Sequence, residues 1–275
     1  MTFSEANEEM SRIAERFLRL RQEGKVGLVP FITAGDPNLP RTLELLFCLA
    51  ESGADVIELG MPFSDPMADG PTIQAASERA LKNDFGLPEV LELVEKFRAR
   101  FDTPLLLFGY YNPVFSFGEE KFVSEAQESG VDGVLIVDLP PEEGESLRGL
   151  AQKAGLDVIY LVAPTTPDDR MAEVAAVASG FIYYVCVTGV TGERASVSTT
   201  IPRDVARIRK HSRLPVGVGF GIGTPEQAAA VAREADAVVV GSAIVRIVGK
   251  HGDSDQMVSK VREFVSALRR GIDER

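Results

Sequence analysis

A chain of 275 residues, 45% hydrophobic and 25% charged, has the composition of a globular protein with a sizeable core. Its formal net charge of -12, without a dense Lys/Arg block, argues against nucleic-acid binding. It also means that any anionic ligand must be held by local donors against the overall field. Two cysteines (Cys48, Cys186) and two histidines (His211, His251, each beside a lysine) suggest neither a zinc cluster nor a histidine-based nucleophilic triad.

In chain order, the first element is MTFSEANEEMSRIAERFLRLR. It alternates charged and apolar residues, so it reads as an amphipathic helix over 4–22 rather than a leader, whose centre would be continuously apolar. No apolar run is long enough for a membrane span, and a cytoplasmic address is expected. Apolar runs follow at 26–32, 56–59, 105–108, 134–137, 158–162, 181–187, 216–220 and 237–240. They are rich in Val, Ile and Leu without clean alternation, as parallel strands covered on both faces are. Helical patterns lie between them at 39–51, 74–82 with 87–100, 119–129, 142–154, 168–179, 203–210 and 225–233, and a last one at 256–269.

Pro167-Asp168-Asp169 and Thr224-Pro225-Glu226 carry helix-start signals. Gly53, Gly130 and Gly155 stand where helix-ending glycines belong. They introduce similar text, SGADVIEL, SGVDGVLI and AGLDVIYL, a helix-to-strand hinge used repeatedly. Eight strands alternating with helices predict a (β/α)8 TIM barrel with an extra N-terminal helix. We read 1–275 as one domain, with 1–24 covering the barrel bottom. A doubly wound sheet is the alternative, but neither G-x-G-x-x-G after the first strand nor a P-loop is present.

In such barrels chemistry sits just after the strands. Glu58 interrupts an apolar run, where an unpaired carboxylate would be expensive and its pKa raised. It is either a general acid/base or one half of a structural ion pair. Asp65 and Asp69 follow in a loop stiffened by Pro62, Pro66 and Pro71. Asp65-Pro66 is ordinary turn chemistry. Asp69 can fold over the mouth as a second, ionised carboxylate, though Asp69-Gly70 is also a common turn dipeptide. Glycines 217, 219, 221 and 223 close the seventh strand, and Gly241-Ser242 closes the eighth and opens a short helix through Val248. Backbone N–H groups there suit a phosphate, and the pairing at two consecutive strand ends favours that over glycines that merely ease tight turns. The long segment after the sixth strand, 188–200, reads as a lid or a plain surface loop. The aromatic stretch 110–118 reads as a loop that either packs inward or docks on a partner.

PFITAGDP (30–37), IELGMPFSDPMADGPTIQ (57–74), YYNPVF (110–115), VTGVTG (187–192), GFGI (219–222) and VGSAIV (240–245) together resemble the tryptophan synthase alpha subunit family, in order and over most of the chain. The resemblance implies retro-aldol cleavage of indole-3-glycerol phosphate to indole and glyceraldehyde 3-phosphate. It makes Glu58 the acid/base, Asp69 the carboxylate on the indole N–H, and Tyr183 a neighbour of the glutamate. Gly192, Gly221, Gly241 and Ser242 match phosphate-binding positions. Phe31, Ile73 and Phe108 match the indole pocket, and Thr191 matches the lid threonine. Cys186-Val187-Thr188 departs from relatives that carry a charge there. The resemblance implies no cofactor in this chain. It implies a beta subunit partner carrying pyridoxal phosphate in an alpha2beta2 assembly, docked through loops around 61–71 and 110–118. Two other readings are a phosphosugar isomerase, which would want acids at other strand ends, and a non-catalytic phosphosugar-binding regulator, which would not need both acids.

Overall fold

A computed structural model describes residues 10–186, 200–219 and 221–275. The apolar runs form parallel strands β1 (Gly27–Thr33), β2 (Ile57–Gly60), β3 (Leu105–Gly109), β4 (Gly133–Ile136), β5 (Asp157–Val158), β6 (Tyr160–Val162), β7 (Ile182–Val185), β8 (Val216–Gly219) and β9 (Ala237–Val240). Only Ile159 separates β5 from β6. The first pairs with β4 and the second with β7, so they are two halves of one strand position. β1 pairs with both β2 and β9, which leaves no open edge, and the nine strands occupy the eight positions of a closed (β/α)8 barrel.

The helices are α1 (Arg12–Gln22), α2 (Leu39–Glu51), α3 (Pro71–Ala80), α4 (Leu87–Arg98), α5 (Tyr111–Phe117), α6 (Glu119–Ser129), α7 (Glu145–Lys153), α8 (Asp168–Val177), α9 (Ile201–His211), α10 (Pro225–Ala232), α11 (Ser242–His251) and α12 (Gln256–Asp273). Several of these differ from the sequence reading. α3 begins at Pro71, because proline at a first helical position loses no needed donor. α7 begins at Glu145, after the Pro140-Pro141 turn. The stretch read as an aromatic loop is mostly the helix α5, closed by Gly118 at φ 92°.

Alternation along the strands sorts the barrel interior into layers. Val29, Val56, Leu106, Leu135, Ile159, Phe181 and Ala237 form the lower one, and Ile13, Phe17 and Leu20 of α1 pack into it from below. Phe17 stacks at a tilt on Phe181, with ring centroids 5.5 Å apart. α1 starts later than the pattern at 4–22 suggests, because Ser11 caps it: its Oγ accepts from the Ala14 N–H at 3.1 Å and donates to Asp157 at 2.5 Å. Residues 1–9 lie outside the described residues.

The repeated hinges have a shared purpose. Gly53, Gly130 and Gly155 take positive φ, as helix-ending glycines do. The aspartate two residues on lies at the barrel bottom. Asp55 accepts from the Leu28 N–H at 2.8 Å, and Asp132 from the Leu105 N–H at 2.7 Å. Asp236 does the same for Val216 at 2.8 Å. Arg269 answers Asp55, Arg98 and Arg12 answer Asp132, and Arg209 answers Asp236. The bottom is thus tied by charge-assisted bonds and sealed by α1.

Phe17→Ala should cost about 3 kcal/mol through lost burial and a residual cavity. A shift in the urea midpoint with an unchanged slope would measure it, and catalysis by the folded fraction should persist.

Candidate active site

Two residues beyond the lower layer come Phe31, Glu58, Phe108, Val137, Leu161, Tyr183 and Val239, and with Gly219 of β8 they line a cavity of about 420 Å³ at the strand exits. Glu58 sits beside Phe31 and Leu106 in the strand register. It is 1% exposed, and its Oε1 has no hydrogen-bond partner among the described residues. No cation faces it, so the structural ion pair considered above is absent among the described residues. Burial alone pushes its pKa well above the ordinary glutamate value. Such a carboxyl can carry a proton near neutral pH, deliver it and take it back.

Tyr183 stands nearby. Burial, then the charges of Glu58 and Asp69, raise its pKa well above the ordinary phenol value, so it remains neutral. A Cβ at position 219 would lie 2.7 Å from its hydroxyl, so only glycine leaves room for it. Gly60 does the same for the Phe31 ring, which a Cβ there would meet at 2.6 Å. Phe31 meets Phe108 edge-to-face at 5.4 Å, and Ile73 packs against both. These three form the apolar wall that the sequence assigned to the indole.

Asp69 reaches the cavity from the β2–α3 loop, as its turn position permits. The loop is held by the Asp69 N–H on the Pro66 carbonyl at 3.0 Å and by Gln74 Nε2 on the Asp69 carbonyl at 2.9 Å. Tyr110 is the residue that sequence reasoning missed. Its hydroxyl donates to Asp69 Oδ2 at 3.1 Å and accepts from the Ala68 N–H at 3.0 Å. Burial raises the pKa of Asp69, and the Tyr110 bond works against that rise. The signal was available: Tyr110 is the first residue past the third strand, inside the quoted YYNPVF. Asp65 is exposed and bonded to Ser64, as its turn reading suggests.

Gly221, Gly241 and Ser242 line the same cavity, with Gly241 close to Phe31. Gly241 is the N-cap of α11 and makes no side-chain capping bond, so the first N–H groups of α11 are uncapped there. A helix start of this kind favours an anion without a lysine or arginine in contact. The Gly223 N–H donates to Gln227 Oε1 at 2.7 Å, which holds the β8–α10 turn beside it. All sequence-assigned site residues that the structure describes therefore share one cavity. Thr191, Gly192 and the rest of 188–199 lie outside the described residues.

The comparisons with known proteins agree with this geometry. The model of the family described as Tryptophan synthase alpha chain matches residues 17–273. The tryptophan synthase alpha chain of Geotalea uraniireducens is 54% identical over 263 residues, 96% of this chain and 98% of that one. The tryptophan synthase subunit alpha of Legionella pneumophila superposes with a TM-score of 0.88 at 41% identity, covering 97% of this chain and 100% of that one. A chain of the tryptophan synthase complex from Pyrococcus furiosus gives a TM-score of 0.82 at 40% identity, covering 88% and 97%.

The burial of Glu58 has a pH signature. At low pH its carboxyl is protonated both folded and unfolded. Above the ordinary glutamate pKa the unfolded chain loses that proton first, so stability falls with rising pH until the folded pKa is passed. Glu58→Gln removes this loss. Its stability advantage over the parent should grow with pH, at a slope approaching about 1.4 kcal/mol per unit. Denaturant unfolding at a series of pH values tests this, and a flat difference would contradict it.

Proposed function

The chain belongs to the tryptophan synthase alpha chain family, and we propose that Glu58 and Asp69 divide the family's lyase step between them. The reaction splits indole-3-glycerol phosphate into indole and glyceraldehyde 3-phosphate. Glu58, protonated because it is buried, gives its proton to indole C3. The ring becomes an indolenine cation, and Asp69, across the cavity, accepts a hydrogen bond from the ring N–H and stabilises that charge. Tyr110 keeps the Asp69 carboxylate aimed inward. The bond from C3 to the glycerol carbon then breaks. Its electron pair returns to the ring, the glycerol hydroxyl becomes the aldehyde, and Glu58 recovers a proton from it. Phe31, Ile73 and Phe108 hold the ring flat, while Gly221, Gly241 and Ser242 anchor the phosphate. On this reading Thr191 and Gly192 serve as lid threonine and phosphate contact. The observation that carries the reading is a buried carboxyl whose Oε1 has no partner among the described residues, in the cavity that Asp69 also lines.

The step calls on no cofactor in this chain; pyridoxal phosphate belongs to a beta subunit that receives the indole. We place that partner on the strand-exit face, in an alpha2beta2 assembly within the cytoplasm. Met67, 91% exposed in the Asp69 loop, and Phe115, 65% exposed on α5, are large apolar side chains open to solvent. Phe63 packs on Tyr110 at 5.3 Å, so this surface shares a residue with the Asp69 contact. Partner binding can therefore order the carboxylate loop.

Indole release from indole-3-glycerol phosphate, with and without a beta subunit, tests the proposal. Glu58→Gln should lower kcat by about 10²–10⁴-fold, and Asp69→Asn by about 10²–10³-fold. Tyr110→Phe should cost about tenfold. Phe115→Asp should leave the isolated chain's turnover intact and abolish stimulation by the beta subunit. Turnover insensitive to Glu58→Gln would refute the acid/base assignment.

A further inference from the structure

The cavity has to accept a phosphate dianion in a molecule of formal charge -12. Uncapped N–H groups at a helix start act over about one turn and cannot offset that field at a distance. Most arginines around the strand exits cannot help, because carboxylates neutralise them. Arg79 is bound to Asp36, Arg41 to Glu44, Asp253 and Asp255, Arg170 to Glu142 and Glu173, and Arg207 to Asp168.

Arg246 differs. It is exposed on α11, four residues after Ser242 and so on the same face of that helix. Among the described residues it has no hydrogen-bond or ion-pair partner. Its Nη2 lies 4.0 Å from where a Cβ on Gly223 would stand. Gly223 is two residues beyond Gly221, in the turn pinned by Gln227. Unpaired among the described residues, this guanidinium therefore rests against the β8–α10 turn, near the helix start that lines the same cavity.

We propose that Arg246 is a positioning residue for the substrate phosphate, supplying the local positive potential that the chain as a whole lacks. The proposal rests on the reading of Gly221, Gly241 and Ser242 as the phosphate site. Arg246 carries a planar guanidinium, the side chain best matched to phosphate oxygens. Its exposure means that its attraction acts through a high effective dielectric, so it is moderate in size and sensitive to salt. It does not touch the bonds that break. Its contribution therefore falls on capture of the substrate, in KM and kcat/KM, and little on kcat.

Steady-state indole release from indole-3-glycerol phosphate, at ionic strengths of about 0.02 M and about 0.3 M, separates the outcomes. The variants are Arg246→Ala, Arg246→Glu and Arg246→Lys, with Arg270→Ala in the last turn of α12 as a charge-matched control. Arg246→Ala should raise KM about three- to tenfold at the lower ionic strength, and Arg246→Glu should raise it further. Arg246→Lys and Arg270→Ala should stay near the parent, and the differences should shrink at the higher ionic strength. Equal KM and equal salt dependence in Arg246→Ala and Arg270→Ala, or a loss confined to kcat, would overturn the proposal while the glycine site stands. A parent that releases no indole would overturn the site reading itself and this proposal with it.

Discussion

The desolvated carboxyl of Glu58 is the constraint around which this molecule is arranged. Removing an ionisable group from water without giving it a partner costs stability. Here the residue is 1% exposed and its Oε1 has no partner among the described residues. The fold offsets that cost at its other end. Below the reactive layer lies a fully apolar one, closed by Ile13, Phe17 and Leu20. Around the rim, Asp55, Asp132 and Asp236 each bind a strand N–H and an arginine. Stability is concentrated where the strands begin, and chemistry where they end.

This division also explains the two kinds of polar site at the mouth. Acid/base work needs a side chain on a strand, because only the closed sheet keeps water from Glu58. Anion binding needs backbone N–H groups, and these are found where helices begin, at the Gly241-Ser242 start of α11. Elements around the cavity are braced against one another. Arg79 of α3 binds Asp36 of the β1–α2 loop through both carboxylate oxygens, at 2.8 and 2.7 Å. The same guanidinium lies against Gly249 of α11, where a Cβ would stand 3.0 Å from it. α3 follows directly on the loop that carries Asp69, so one arginine links the carboxylate loop to α11.

Much of this was legible in the sequence. The runs of Val, Ile and Leu without alternation meant strands dry on both faces, and a glutamate inside one of them stood out because an unpaired carboxylate is expensive there. The glycines at two consecutive strand ends marked turns into helix starts. Other features were not legible. Tyr110–Phe117 read as a loop because its aromatics have no amphipathic period, and the helix α5 is held by packing rather than by pattern. The fifth strand read as continuous, although its two halves serve different neighbours. The hinge text SGADVIEL and its relatives repeated visibly, but nothing local revealed that its aspartate would bind the N–H of a strand 27 residues away.

By itself the sequence determined the alternation of strands and helices and the spacing of the motifs that carry the resemblance to a known family, which in turn implies the two acids. These are properties of spacing and local propensity, which the chain carries in one dimension. Tertiary structure decided which side chains share a layer, that the Asp69 carboxylate meets the Tyr110 hydroxyl, and that Arg246 rests beside the β8–α10 turn, unpaired among the described residues. Each of those depends on closing a sheet whose neighbours are far apart along the chain. A side chain's solvation, and with it the proton affinity of Glu58, exists only once that closure has excluded water.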